Sequence, residues 1–468
     1  MSTLLHPDRL FSANATERDI ARALYESISD LPLISPHGHT DPRWFAENEN
    51  FANASELLVV PDHYVFRMLL SQGLRLEVLG IAPHEGTVES DPRAIWRRFA
   101  ENYHLFAGTP TRLWLDHTFE TLFELHEPLS RETADTYFDA INALLAREDY
   151  RPRALFDRFG IEVIATTESA LDDLRWHDQI KDSGWSGRVV TTYRPDAVID
   201  PDFEGFGVNL DTFGEITDCD TGTWAGYLDA HRKRRAYFKQ RGATATDHGH
   251  PTAETANLSA GQAQALFDKV RAGKGGPDDH GLFRAQMLTE MAKMSLEDGL
   301  VMQIHPGSFR NHSEATFTRF GRDKGFDIPT RTDYVEALRP LLSVAGMDPD
   351  FRLIIFTLDE SAYSRELAPL AGVYPALRLG PAWWFHDSPE GMRRYRELTT
   401  ETAGFYNSVG FNDDTRAFPS IPARHDVARR VDSAFLARLV ADHRIREDEA
   451  FHLIHELSYG LAKKAYRL

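Results

Sequence analysis

The chain has 468 residues, 42% hydrophobic and 26% charged, the make-up of a globular protein long enough to bury a large core. Its net charge of −19 disfavours nucleic acid and anionic membranes as partners, and an acidic small molecule would need local arginines to capture it. No run of eighteen apolar residues, no basic-then-apolar leader and a single cysteine, Cys219, exclude a spanning helix, a signal peptide, an internal disulfide and a cysteine-built zinc site, and make a reducing cytoplasm the expected compartment.

In chain order, the first helix is expected over residues 16–29, with Ile20, Leu24 and Ile28 on one face. A short apolar run over 31–34 then stops at Ser35-Pro36-His37-Gly38-His39, as a buried strand does at a Pro/Gly turn. From 45 to 156 the pattern is helical, with Val65, Met68, Leu69 and Phe119, Leu122, Phe123 at helical spacing, and reads as an insertion. Short apolar runs then recur at 161–165, 189–193, 243–246, 300–304, 353–356, 376–379 and 408–411. Helices are expected between them, among others over 224–240, 261–271 and 332–339. With the run at 31–34 there are eight strands alternating with helices, which predicts an α/β chain forming a (β/α)8 barrel, one domain over 1–468 with the insertion at 45–156. A last helix over 447–466, with Phe451, Ile454, Leu457 and Leu461 on one face, is expected to pack on the outside.

In such a barrel the chemistry gathers where the strands end. Just past the expected strands stand His37 and His39, Arg194, Asp247 and His248, His305, and Asp413, Asp414 and Arg416. In an extended segment residues i and i+2 point the same way, so His37 and His39 can reach one ion, with Gly38 leaving room. Neutral imidazoles suit zinc and related divalent ions, and a carboxylate such as Asp414 could complete the set. Arg194 has the planar fork that pairs with carboxylates; a structural salt bridge to Asp196 is the equal alternative. His63 and Tyr64 together can shuttle protons, or form a structural pair. Trp383-Trp384-Phe385 could wall the mouth, or be plain core.

Taken together, these motifs resemble the uronate isomerase family of the amidohydrolase superfamily. The resemblance runs from about His6 to Arg430 and is carried by ordered signatures: His37-Gly38-His39, Asp62-His63-Tyr64 with Arg67, Thr166-Thr167-Glu168, Arg194-Pro195-Asp196, Asp247-His248-Gly249, His305 with Gly307 and Arg310-Asn311, Gly380 with Trp383-Trp384-Phe385 and Asp387, Asp414-Thr415-Arg416, and Arg424-His425. It implies a distorted barrel that interconverts D-glucuronate with D-fructuronate and D-galacturonate with D-tagaturonate. It implies one divalent metal, commonly zinc, on His37, His39 and Asp414, and substrate contacts from His63, Tyr64, Arg194, Arg416 and one of Trp383 and Trp384, with Trp384 the choice. Asp414, His63 and Tyr64 are the expected catalytic residues, uronates the expected small-molecule partners, and a homo-oligomer the expected assembly. The sequence departs from the usual family text at Glu168-Ser169-Ala170, at Pro306 and at Asp413, which bears on loop shape and substrate preference. A metal-dependent hydrolase or decarboxylase on the same fold is the rival enzyme, and a non-catalytic sugar-acid binder the rival of another class.

Overall fold

The computed structural model describes residues 4–468; the first three residues lie outside it. Seven parallel strands curl into a barrel in sequence order: Leu33–Ser35, Ile161–Ser169, Arg188–Arg194, Ala245–His248, Val301–Ile304, Leu353–Ile355 and Leu377–Leu379. The expected eighth strand, 408–411, makes only a single parallel bridge, Leu379 to Ser408. Gly410 explains the break: its φ is +75°, and a Cβ there would stand 2.7 Å from Leu457 O, so the chain turns out of strand geometry where another segment presses on it. The seam between the eighth run and strand one is closed by other bonds. Ser35 Oγ donates to Asp413 Oδ1 at 3.0 Å, and His39 N donates to Thr415 O at 3.1 Å. The barrel is therefore the distorted one expected.

Three further expectations shift. Strand four begins at Ala245, not 243, because Ala243 N still closes the preceding helix on Phe238 O; Asp247 and His248 thus lie within the strand. The helix expected over 332–339 is Val335–Ala345, because Thr332 N and Tyr334 N are taken by the Asp359 and Glu366 side chains. The last helix is broken into Glu447–His455 and Leu461–Tyr466 by a wide turn at Glu456–Gly460. Its first part packs outside, where Ile454 and Leu457 meet Leu24 and Leu436. Its last turn enters the barrel.

That entry forms the floor. Tyr466 and Ala465 pack with Ala245, Val301, Ile354 and Val409, while Ala462 packs with Ile34, Val163 and Val190. Arg467 donates to the carbonyls of Gly299 and Asp350, just before strands five and six. The neighbours of these inward residues, such as Met302, Ile304, Leu353 and Ile355, belong to the layer shared with the surrounding helices, as strand alternation requires.

Between strands one and two the chain is helical, from Pro42–Glu47 to Pro152–Arg158. Trp96, Phe99, Phe119 and Tyr137 form its core, which is continuous with Leu33, Ile161 and Ile164 on the outer face of the first two strands. One feature had no counterpart in the sequence pattern. After strand five, Ser308–Phe309 pairs antiparallel with Ile328–Pro329, and the flap between them carries the helix Glu314–Phe320.

Candidate active site

A cavity of about 790 Å³ opens at the mouth, a size suited to a small sugar. His37, His39, His63, Tyr64, Arg194, His305, Asp414 and Arg416 all line it, as do both Trp383 and Trp384. The flap contributes Arg310, Arg322 and Asp323. Two expected mouth residues are elsewhere. Within strand four the side chains alternate, so Asp247 faces inward under Arg194 while His248 points to the outer layer, beside Thr246 Oγ1 at 3.1 Å. Asp413 is buried behind the mouth, bonded to Ser35 and to His425 Nε2 at 3.1 Å, and is structural.

The metal candidates converge. Ligand atoms of His37, His39 and Asp414 lie within 4.8 Å of one another. Asp414 Oδ1 is 3.3 Å from His39 Nε2 and 3.7 Å from His37 Nε2. A tetrahedral ion with bonds of about 2.0–2.2 Å separates its ligands by roughly 3.3–3.6 Å, so the spacing fits. Asp414 Oδ1 is buried with no hydrogen-bond partner, while Oδ2 accepts from Trp383 Nε1; one oxygen is fixed and the other is left facing the imidazoles. A Cβ on Gly38 would meet nothing nearer than 3.5 Å, so the room expected of that glycine is not what brings the histidines together. The turn at Asp414 matters more. Its φ is +37°, a region aspartate visits more readily than most residues, and Asn412 Oδ1 holds it there by accepting Asp414 N at 2.9 Å.

Burial works against the Asp414 charge, but the adjacent imidazoles of His37 and His39 and the hydrogen bond from Trp383 hold the carboxyl well below the usual range. Burial is also what pushes His39 down.

His63 and Tyr64 open the helix His63–Ser71, whose N-cap, Asp62, accepts Tyr64 N at 2.7 Å; this cap aims both rings at the cavity. They stack with centroids 4.6 Å apart, and Trp384 meets His63 edge-on at 5.8 Å. Burial pushes His63 down to about 3 and raises the Tyr64 phenol, so near neutral pH the imidazole is uncharged and the phenol keeps its proton.

Arg194 forms the structural salt bridge to Asp196 that was one of its two readings. It lines the cavity and is paired twice, Nε to Asp196 Oδ2 at 2.8 Å and NH1 to Asp247 Oδ2 at 3.3 Å. His305 Nε2 stands 2.7 Å from Asp247 Oδ1, close to it but without hydrogen-bond alignment. Burial opposes ionisation of Asp247, yet His305, His37 and Arg194 hold it well below its usual range. Gly249 lets this cluster close, since a Cβ there would be 2.5 Å from Arg194 NH2 and 2.9 Å from His305 Cε1. Arg416 pairs with the flap's Asp323 at 3.4 Å, about half exposed on both sides. Arg424 lies 3.6 Å over the Trp114 ring and 2.5 Å from Asp387 Oδ2.

A family model described as glucuronate isomerase matches residues 7–466. The chain belongs to that family. The uronate isomerase of Mesorhizobium japonicum is 70% identical over the whole of both chains. The crystal structure of glucuronate isomerase from Caulobacter crescentus superposes with a TM-score of 0.98 at 59% identity, covering 99% of this chain and 97% of that one. That of uronate isomerase from Thermotoga maritima gives 0.92 at 27% identity, covering 99% of each. As a member of this family the chain is an isomerase, and the hydrolase reading is not favoured. Among the described residues no helix is long and apolar enough to cross a membrane.

Proposed function

We propose that the chain interconverts D-glucuronate with D-fructuronate, and D-galacturonate with D-tagaturonate, by moving a proton between C2 and C1 through an enediol. The carrying observation is that one cavity gathers a metal-type donor set, an uncharged His63 beside a protonated Tyr64, and the guanidinium groups of Arg194 and Arg416. A −19 chain needs such local cations to seat a sugar acid, and bidentate arginine suits its carboxylate.

The donor set of two imidazoles and one carboxylate fits a divalent ion, zinc first. Bound there, such an ion would polarise and orient sugar oxygens. Ionised Asp414 takes the C2 proton as the C–H electrons form the C1–C2 double bond and O1 is protonated. Return of a proton to C1, with loss of the O2 proton, gives the ketone. Asp414 held so far below its usual range is a weak base, so help at the oxygens matters. Tyr64 donates to one sugar oxygen and His63 accepts at the other. Trp384 walls the pocket against His63, and Trp383 orients Asp414.

We read residues 1–468 as one domain with 45–156 inserted, cytoplasmic on the lone Cys219, and homo-oligomeric, which light scattering tests. Turnover in D2O, followed by NMR, tests the chemistry. Solvent deuterium is expected at C1 of the ketose. Complete retention of the substrate hydrogen over many turnovers would sink the proton route in favour of a hydride shift.

A further inference from the structure

The barrel floor meets the donor set through one hydroxyl. Tyr466, the third residue from the C-terminus, is fully buried. Its OH donates to Gln303 Oε1 at 3.0 Å and accepts from Asn412 Nδ2 at 3.5 Å. Both partners go on to the donor set. Asn412 Oδ1 holds the backbone N of Asp414 at 2.9 Å. Gln303 Nε2 stands 3.5 Å from His37 Nδ1. Tyr466 thus sits beneath two of the three candidate ligands and contacts neither directly.

We infer that the Tyr466 hydroxyl is a positioning group for the metal, acting through Gln303 on His37 and through Asn412 on Asp414. The inference rests on the metal reading above. Its core is the chemistry of the hydroxyl. An imidazole that ligates through Nε2 carries its proton on Nδ1, and its neighbour must then accept. In the arrangement described, Gln303 presents N–H to Nδ1, which suits the ring with its proton on Nε2. For the ligating form the amide turns over, giving up a 3.4 Å contact to Thr246 O and presenting its carbonyl to Nδ1–H. Its N–H then faces Tyr466. A hydroxyl can donate or accept, so Tyr466 holds Gln303 in either orientation, whereas phenylalanine holds neither. Meanwhile its bond to Asn412 keeps the left-handed Asp414 turn in place. The floor also supplies rigidity: the ring is packed among Val301, Ile354 and Val409, so the hydroxyl has a fixed position.

The test uses the full chain, stripped with a chelator and titrated with zinc against a chromophoric competitor. Wild type, Tyr466→Phe, Gln303→Leu and the double variant are compared, with melting temperatures of the metal-free proteins alongside. Tyr466→Phe keeps the ring packing. It is expected to weaken zinc binding roughly ten-fold or more, while the metal-free melting temperature moves by no more than about two degrees. The double variant is expected to lose less than the product of the two single losses, because Gln303 is one of the two routes from Tyr466. Wild-type affinity in Tyr466→Phe, a loss that only tracks a fall in melting temperature, or full multiplicativity in the double variant overturns the inference while leaving the metal reading standing. Wild-type protein that takes up no zinc overturns the metal reading, and this inference with it.

Discussion

The mouth and the floor of this barrel are built from the same seven strands, yet they are opposite environments. At the floor, Ile34, Val163, Val301 and Ile354 close on Tyr466 and Ala462 with few polar groups. At the mouth, a few residues further along those strands, buried Asp247 and His305 stand with half-buried Arg194 and Asp414. Apolar packing tolerates imperfect direction, since it scales with area. Buried charge does not, because each group needs a partner at the right place or its desolvation is uncompensated. Apolar packing at the floor should therefore govern stability and the mouth turnover, with the Tyr466 hydroxyl linking the two through Gln303 and Asn412.

The hardest blow to the mouth is Asp414→Asn. Steady-state kinetics should show turnover falling roughly a hundred- to ten-thousand-fold, the range for loss of a general acid or base, with the metal-free fold intact by circular dichroism. Near-normal turnover would mean that Asp414 is neither base nor essential ligand.

The matching blow to the floor is Ile354→Ala. Denaturant unfolding should register a loss of about 2–5 kcal/mol, while kcat measured below the new melting point falls far less than in Asp414→Asn, because the Tyr466 hydroxyl keeps its bonds to Gln303 and Asn412. A kinetic defect of similar size in both variants would dissolve the division between the two ends.

Arg194→Met is a milder cut at the mouth, because it removes one charge-assisted contact worth roughly 1.5–3 kcal/mol. It should lower kcat/KM for uronates by about one to two decades. Its partners Asp196 and Asp247 are left without their cation, so some loss of melting temperature is expected as well. If uronate turnover is unchanged, Arg194 belongs to the scaffold alone.

The smallest expected effect is that of pH on His63. Its folded pKa, about 3, lies below the usual value near 6.5. The neutral ring is therefore the folded form. Its stabilising contribution is fully present above about pH 6.5 and is lost as pH falls toward 3. Between pH 5 and 8 an NMR titration of the His63 ring should show no inflection, and kcat/KM should carry none from this residue. An inflection near 6.5 assigned to His63 would show the ring to be solvated, and would remove it from the neutral acceptor role.

Some of this molecule is written locally in the chain. The apolar runs of the first seven strands, the Pro/Gly stop before His37, and the polar residues after each run are short-range patterns, and alternation within a strand is set by backbone geometry. That is why His37, His39, Arg194, His305 and Asp414 could be named for one mouth. The same pattern overreached at 408–411, where a strand-like run meets Leu457 at Gly410, and at His248, whose place inside the strand turned it outward. Other features exist only once the chain is folded. The flap after strand five, the second carboxylate on Arg194, that of Asp247, and the docking of Tyr466 under Gln303, 163 residues away, leave no periodic trace. Each depends on where distant backbones come to lie, and no local propensity records that. The residue types of the site were legible in the sequence; the partners that fix their charges and directions were decided by the tertiary structure.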